Sequence, residues 1–304
     1  MHHDDKVYEH SMALTCDWNE KLKEAIPKII AEVSDYAGVE AEAEFLGMGS
    51  FNIVYRVKRF RGIYRFPIFG KSVVRFEKTN DECMVMQYLS RFTTIPIPRL
   101  IAAESCDVGP YLVMVRPELG EQGLKPSIAT TTLAQAYRGM TKILIELSKC
   151  RFARIGAVGL DDSKQWSVTK RPITINMNQI VSCGNYPVKN LPKQSFSTAN
   201  EYFTCLAETH LTHLRSQRND AISDELDARR KYVSRCLFLR IAKNFSTQDN
   251  YGPFPLYCDD LRPSNVLVDD AMSIMGVIDW EYCYTAPLEF TYCSPLVAPS
   301  EASR

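Results

Sequence analysis

Apolar positions follow two different periods along the chain, and the change between them divides it. From Trp18 to Tyr36, Leu22, Ile26, Ile29, Ile30 and Val33 recur at three- and four-residue spacings, which predicts a helix with one buried face. Residues 1–16 ahead of it are polar and predict a flexible terminus. Beyond Phe45 the period becomes two. Ile53, Tyr55 and Val57 share one face of a strand, and Arg56 to Gly70 reads as strand, turn at Arg61-Gly62, and strand. Ser72-Val73-Val74-Arg75-Phe76 reads as the next strand, and Ile101–Glu104 and Tyr111–Val115 as two more around a turn at Asp107–Gly109. Asn80–Leu89 interrupts with helical spacing, turning Cys83, Met86 and Leu89 or Tyr88 inward, until Ile95-Pro96-Ile97-Pro98 extends the chain. After residue 116 the longer period dominates. Thr131–Lys149 carries the stripe Leu133, Ala136, Tyr137, Met140, Leu144 and Leu147. Glu201–Gln217 and Asp224–Phe245 are further helices, after a Gly-, Pro- and Ser-containing loop over 182–198. The pattern predicts an α+β protein, mainly β over 17–116 and mainly helical over 117–304.

One stretch breaks that helical half. Val266-Leu267-Val268 and Ile274–Ile278 are short apolar runs separated by Asp269, Asp270 and Ser273, which predicts a β-hairpin. With Leu267 opposite Val277, Asn265 falls opposite Asp279, where Cβ atoms sit roughly 4.5–5.5 Å apart. Asp260 lies on the loop just before. Two carboxylates and an amide oxygen at a hairpin mouth form a hard, oxygen-rich site, suited to Mg²⁺ shared with phosphate oxygens.

Bulk composition narrows the alternatives. Lys plus Arg and Asp plus Glu number 36 each, so no net charge favours nucleic acid or an anionic membrane as partner. No apolar run is long enough for a transmembrane helix, and the first residues lack a signal-peptide core. Ten cysteines without a C-x-x-C pair imply free thiols in a reducing, cytoplasmic setting. The five histidines avoid the hairpin; His210 and His213 lie three apart with no accompanying carboxylate pattern for a metal.

The spacing Asp260-x-x-x-x-Asn265, followed by Asp279 beyond a hairpin, is that of a kinase catalytic loop and its metal-binding aspartate. Cys258–Asp269 and Gly276-Val277-Ile278-Asp279-Trp280-Glu281 more closely resemble the fungal aminoglycoside-phosphotransferase-like family of the protein-kinase-like fold. Gly47-Met48-Gly49-Ser50-Phe51-Asn52, two glycines and a serine before a strand, resembles that family's phosphate-covering turn. The resemblance implies a two-lobed fold that binds ATP and Mg²⁺ and phosphorylates a hydroxyl of a small-molecule acceptor. Residue by residue, it implies Asp260 as the group receiving the hydroxyl proton and Asn265 and Asp279 as Mg²⁺ ligands. It implies Gly47, Gly49 and Ser50 over the phosphates, and Arg75 on them, oriented by Glu82. Met114 and Val115, before the hinge at Arg116-Pro117, would hold adenine.

Two positions depart from the family. Cys258-Asp259 replaces the usual His-Gly, and like-charge repulsion between Asp259 and Asp260 predicts a raised proton affinity for one of them. Family members continue with further helices after the part matching Pro287–Pro295, so the resemblance implies a C-terminally shortened chain. The rival reading is a nucleotide-binding pseudoenzyme or scaffold with little turnover.

Overall fold

The computed structural model describes residues 3–37, 42–58, 62–115, 122–123, 130–217 and 221–291. The expected hinge residues Arg116 and Pro117, and the chain beyond Thr291, lie outside them.

The N-terminal half contains α1 (His3–Ala37), β1 (Glu42–Met48), β2 (Asn52–Lys58), β3 (Gly62–Pro67), α2 (Arg75–Phe92), β4 (Leu100–Cys106) and β5 (Gly109–Val115). The strands form one antiparallel sheet in the order β1-β2-β3-β5-β4. Alternation assigns each face. Ile53, Tyr55, Val57, Tyr64, Phe66, Tyr111 and Val113 point to α1, where they meet Trp18, Leu22, Ile26, Ile29 and Ile30. Leu112 and Met114 point the other way, into a core with Val85, Met86 and Leu89 of α2.

Helix α1 begins at His3, far ahead of the predicted start at Trp18. Its early turns lack an apolar stripe, and polar side chains anchor them. Ser11 donates to the Gly70 carbonyl (2.7 Å) and Thr15 to that of Phe69 (2.9 Å). The expected strand Ser72–Phe76 is a turn followed by the start of α2, despite its β-branched composition. Ser72 N–H donates to Ile68 O (2.8 Å) and Val73 N–H to Asn178 Oδ1 (2.8 Å), so no partner strand holds these groups. Val74 enters α2 with φ 47°, a conformation that costs a β-branched residue energy and persists only under such tethering.

The C-terminal half contains β6 (Gln122–Gly123), α3 (Thr130–Lys149), β7 (Arg151–Phe152), β8 (Ala157–Leu160), β9 (Trp166–Lys170), α4 (Ile175–Ser182), α5 (Ala199–Ser216), α6 (Glu225–Ala242), β10 (Phe254–Cys258), β11 (Val266–Val268), β12 (Ile274–Val277), β13 (Cys283–Thr285) and α7 (Leu288–Thr291). Thr198 and Glu201 form a capping box on α5, and Asp224 caps α6. Met140, Ile143 and Leu147 of α3 are buried in one core with Leu256, Val266 and Val277; Ala136 is buried too, while Tyr137 faces solvent. Among the described residues, no helix is long and apolar enough to cross a membrane.

Helix α2 ties the two halves together. Glu77 accepts a bidentate pair from Arg171 (2.9 and 2.7 Å), Asp81 pairs with Lys170 (3.1 Å), and Lys78 pairs with Glu281. The Lys78 and Glu281 side chains are each 1% exposed.

Candidate active site

A cavity of about 380 Å³ lies between the halves. It gathers Gly49, Ser50, Glu82, Met114, Val115, Asn265 and Asp279, seven of the residues singled out in the sequence. Gly47 lies off its wall, at a bulge in β1 between Phe45 and Gly47. One side of the cavity is apolar, with Val54, Ile63, Met86, Pro98 and Ile278, and suits a planar base.

The cavity also carries charge, and its central cation is Arg65. Arg65 donates to Glu82 through one guanidinium nitrogen and to Asp279 Oδ1 (2.7 Å) through the other. The expected Arg75–Glu82 pair is therefore replaced by Arg65–Glu82. Arg75 starts α2 on the far side, where it donates to the carbonyls of Pro67 and Val108 (2.8 Å each) and stacks over Trp18. Burial there lowers its pKa to about 10. Gly109 makes room for it: a Cβ at that position would stand 2.4 Å from Arg75 Nη2, on a backbone with φ 123°. The signal for Arg65 was alternation: Tyr64 and Phe66 point to α1, which leaves Arg65 toward α2 and Glu82.

The hairpin of β11 and β12 forms with a shifted register. Val266 faces Val277, Leu267 faces Gly276, and Val268 faces Ile274, with a bulge between Leu267 and Val268. Asn265 therefore lies opposite Ile278, whose N–H donates to its carbonyl (2.9 Å), rather than opposite Asp279. Asp279 adopts φ 66°, which turns the chain, and both side chains reach the same cavity. Burial pushes the Asp279 pKa up to about 6, Glu281 adds to the rise, and Arg65 and Lys78 oppose it. Burial also acts to raise Glu281, but Lys78 and Arg65 outweigh it and hold that carboxylate low. Asn52 Nδ2 donates to Glu281 as well (2.9 Å). Asn52 and Glu281 stood within the quoted motifs without a role of their own, and Lys78 was not singled out, because their partners are remote along the chain.

Asp260 lies on the loop after β10 and is 7% exposed. Its carboxylate takes Arg262 Nε (3.1 Å) on one oxygen and Asn265 Nδ2 (3.3 Å) on the other. Asn265 Nδ2 also donates to the Asp260 carbonyl (2.8 Å), which fixes the loop. Burial raises the Asp260 pKa against the pull of Arg262 and Asn265. Asp259 is raised too, with burial first and Asp260 only a lesser contributor, because its carboxylate turns away to accept from Ile175 N–H (2.9 Å). Asp260 and Arg262 line a second cavity of about 510 Å³, and Arg262 borders both.

Val115 supplies no free N–H for a base: it donates to the Arg99 carbonyl (2.9 Å), and β5 runs between β3 and β4. Among the described residues, no group of three or more His, Cys, Asp or Glu side chains forms a metal centre. Nine of the ten cysteines lie among the described residues, and all nine are free.

No family model and no curated protein matches this sequence. Solved structures do. The chain is similar to the GDP and kanamycin complex of APH(2")-IIia, at 15% identity and a TM-score of 0.53, covering 88% of this chain and 76% of that one. It is similar to a thermostable mutant of aminoglycoside phosphotransferase APH(4)-Ia in ternary complex with ADP and hygromycin B, at 14% identity and a TM-score of 0.52, covering 86% and 73%. A further structure of aminoglycoside phosphotransferase APH(4)-Ia matches at 14% identity and a TM-score of 0.53. The fold is thus the two-lobed, kinase-like fold of these phosphotransferases, with a sheet-rich N-lobe and a mainly helical C-lobe.

Proposed function

We propose that this protein transfers the γ-phosphoryl group of ATP, with Mg²⁺, to a hydroxyl of a small molecule. The observation that carries this reading is the Glu82–Arg65–Asp279 chain at a cavity that also gathers Asn265 and the Gly49-Ser50 turn. Phosphoryl transfer needs positioning and charge neutralisation more than covalent chemistry. Arg65, oriented by Glu82, would neutralise phosphate oxygens, and the turn from Gly47 to Ser50 would cover them. Met114 and Val115 would flank the base through their side chains.

The residues fit a hard cation. Asn52 Oδ1, Glu82 Oε1 and Glu281 Oε1 are buried oxygens without a hydrogen-bond partner, and all three residues line the cavity. Asn265 and Asp279 would hold Mg²⁺ beside the nucleotide, in keeping with its preference for a few protein oxygens plus phosphates. When bound, the metal would neutralise phosphate charge. Asp260 would accept the acceptor's proton, and Asn265 and Arg262 fix its position. The structural neighbours include a GDP and kanamycin complex and an ADP and hygromycin B complex, which supports nucleotide binding and a small-molecule acceptor. Free thiols support a reducing, cytoplasmic setting.

Calorimetry of Mg-ATP binding tests the proposal, with Asp279→Ala and Arg65→Met as controls. Binding that requires Mg²⁺ and both side chains, followed by phosphate transfer that Asp260→Ala abolishes, is the expected result. A folded protein that ignores Mg-ATP would refute it; binding without transfer to any hydroxylated acceptor would leave a nucleotide-binding scaffold.

A further inference from the structure

The second cavity has a character of its own. Leu144 and Leu147 of α3, Leu256 and Tyr257 of β10, Leu261, and Phe290 of α7 give its wall a large apolar area. Its volume of about 510 Å³ falls in the range that holds a drug-sized ligand. Charged groups on the described wall are Asp259, Asp260 and Arg262. Both carboxylates are already engaged, Asp259 by Ile175 N–H, and Asp260 by Arg262 and Asn265. Arg262 compensates Asp260, so a ligand with several ammonium groups would find only the Asp259 charge uncompensated, against the water each ammonium loses. An apolar body would instead bury against leucine and aromatic faces, with Ser148 and Thr291 to meet isolated polar atoms.

We propose that this cavity is the acceptor site and that it takes an uncharged, largely apolar hydroxy compound, such as an aryl or alkyl alcohol, rather than a polycation. The inference rests on the phosphotransferase reading. Its geometric basis is that Asp260 lines this cavity while Arg262 borders both, so a hydroxyl presented here meets the proton acceptor beside the nucleotide cavity. In the reaction the acceptor oxygen forms a bond to the γ-phosphorus as the bond from that phosphorus to the β,γ-bridging oxygen breaks. The electron pair leaves with ADP, and the hydroxyl proton passes to Asp260. No other co-reactant is needed.

The probe is 2-(1-naphthyl)ethanol, whose emission shifts on leaving water, titrated into the full chain with and without Mg-ATP. Saturable binding is expected, weakened about tenfold by Phe290→Ala through lost apolar contact. Phe290 also packs on Tyr202, Phe203 and Tyr257, so Ser148→Arg provides a second variant that fills the cavity from the end of α3 without removing core. Transfer of labelled phosphate from ATP to the naphthyl alcohol in preference to kanamycin supports the inference. Naphthyl binding that neither variant alters, or preferential phosphorylation of kanamycin, overturns it. Cavity binding with Mg-ATP bound but no transfer overturns the acceptor role alone. Failure of Mg-ATP to bind, read separately by calorimetry, overturns the phosphotransferase reading and the acceptor role with it.

Discussion

Lys78 and Glu281 offer a stringent check on how the lobes are joined. Each side chain is 1% exposed. Removing the ammonium by Lys78→Met leaves the Glu281 carboxylate with one donor, Asn52 Nδ2, in a dry site. Removing the carboxylate by Glu281→Leu leaves the ammonium with Ser72 Oγ at 3.3 Å and the ring faces of Phe51 and Tyr282 at 5.7 and 5.2 Å. Breaking a buried pair from one side costs about 3–5 kcal/mol, whereas replacing both partners by apolar groups is often near neutral. Each single variant should therefore lose about 3–5 kcal/mol, and the double variant much less than the sum, a coupling of about 3 kcal/mol or more. Urea denaturation followed by tryptophan fluorescence reads this directly, because Trp280 is 1% exposed and adjoins Glu281. Single variants within about 1 kcal/mol of the parent, or an additive double variant, would refute the buried pair.

Other expectations follow from separate features. Arg65→Met should weaken Mg-ATP binding at least about tenfold, while Arg75→Met leaves affinity unchanged and lowers thermal stability; calorimetry and melting curves separate the two. Gly109→Ala should destabilise by about 1–3 kcal/mol, since the new methyl meets Arg75 on a left-handed backbone, and a melting curve checks it. Burial raises Asp81 from 3.8 to about 6, against the pull of Lys170. The folded state thus binds a proton the unfolded chain has released, and stability falls as pH rises from about 4 to about 6, by up to about 3 kcal/mol. Asp81→Asn should flatten that part of the stability–pH curve, and an unchanged difference between pH 4.5 and pH 7 would contradict it.

What the sequence made legible was local. Asp260, Asn265 and Asp279 lie within one short stretch, so spacing alone brought them near one another, even though the hairpin register differs from the expected one by one residue. The sheet's alternation was equally direct at Ile53, Tyr55 and Val57. Arg65 was overlooked because Tyr64 and Phe66 on either side are aromatic, whereas Val73-Val74-Arg75-Phe76 imitates a strand carrying a cation. Only contacts remote in sequence decide between them: Asn178 pins Val73, and Glu82 with Asp279 claims Arg65. The same limit hid Lys78 and Glu281, whose burial depends on two lobes meeting.

Because α2 is gripped from below by Arg171, Lys170 and Glu281, it is a poor lever for switching the protein off. Swinging it outward would carry Glu82 from Arg65 and would first have to break all three pairs. The three pairs would have to open together, which disfavours the displaced arrangement. Such a molecule stands assembled at rest. Ligands entering the cavity would meet Glu82 and Arg65 already joined.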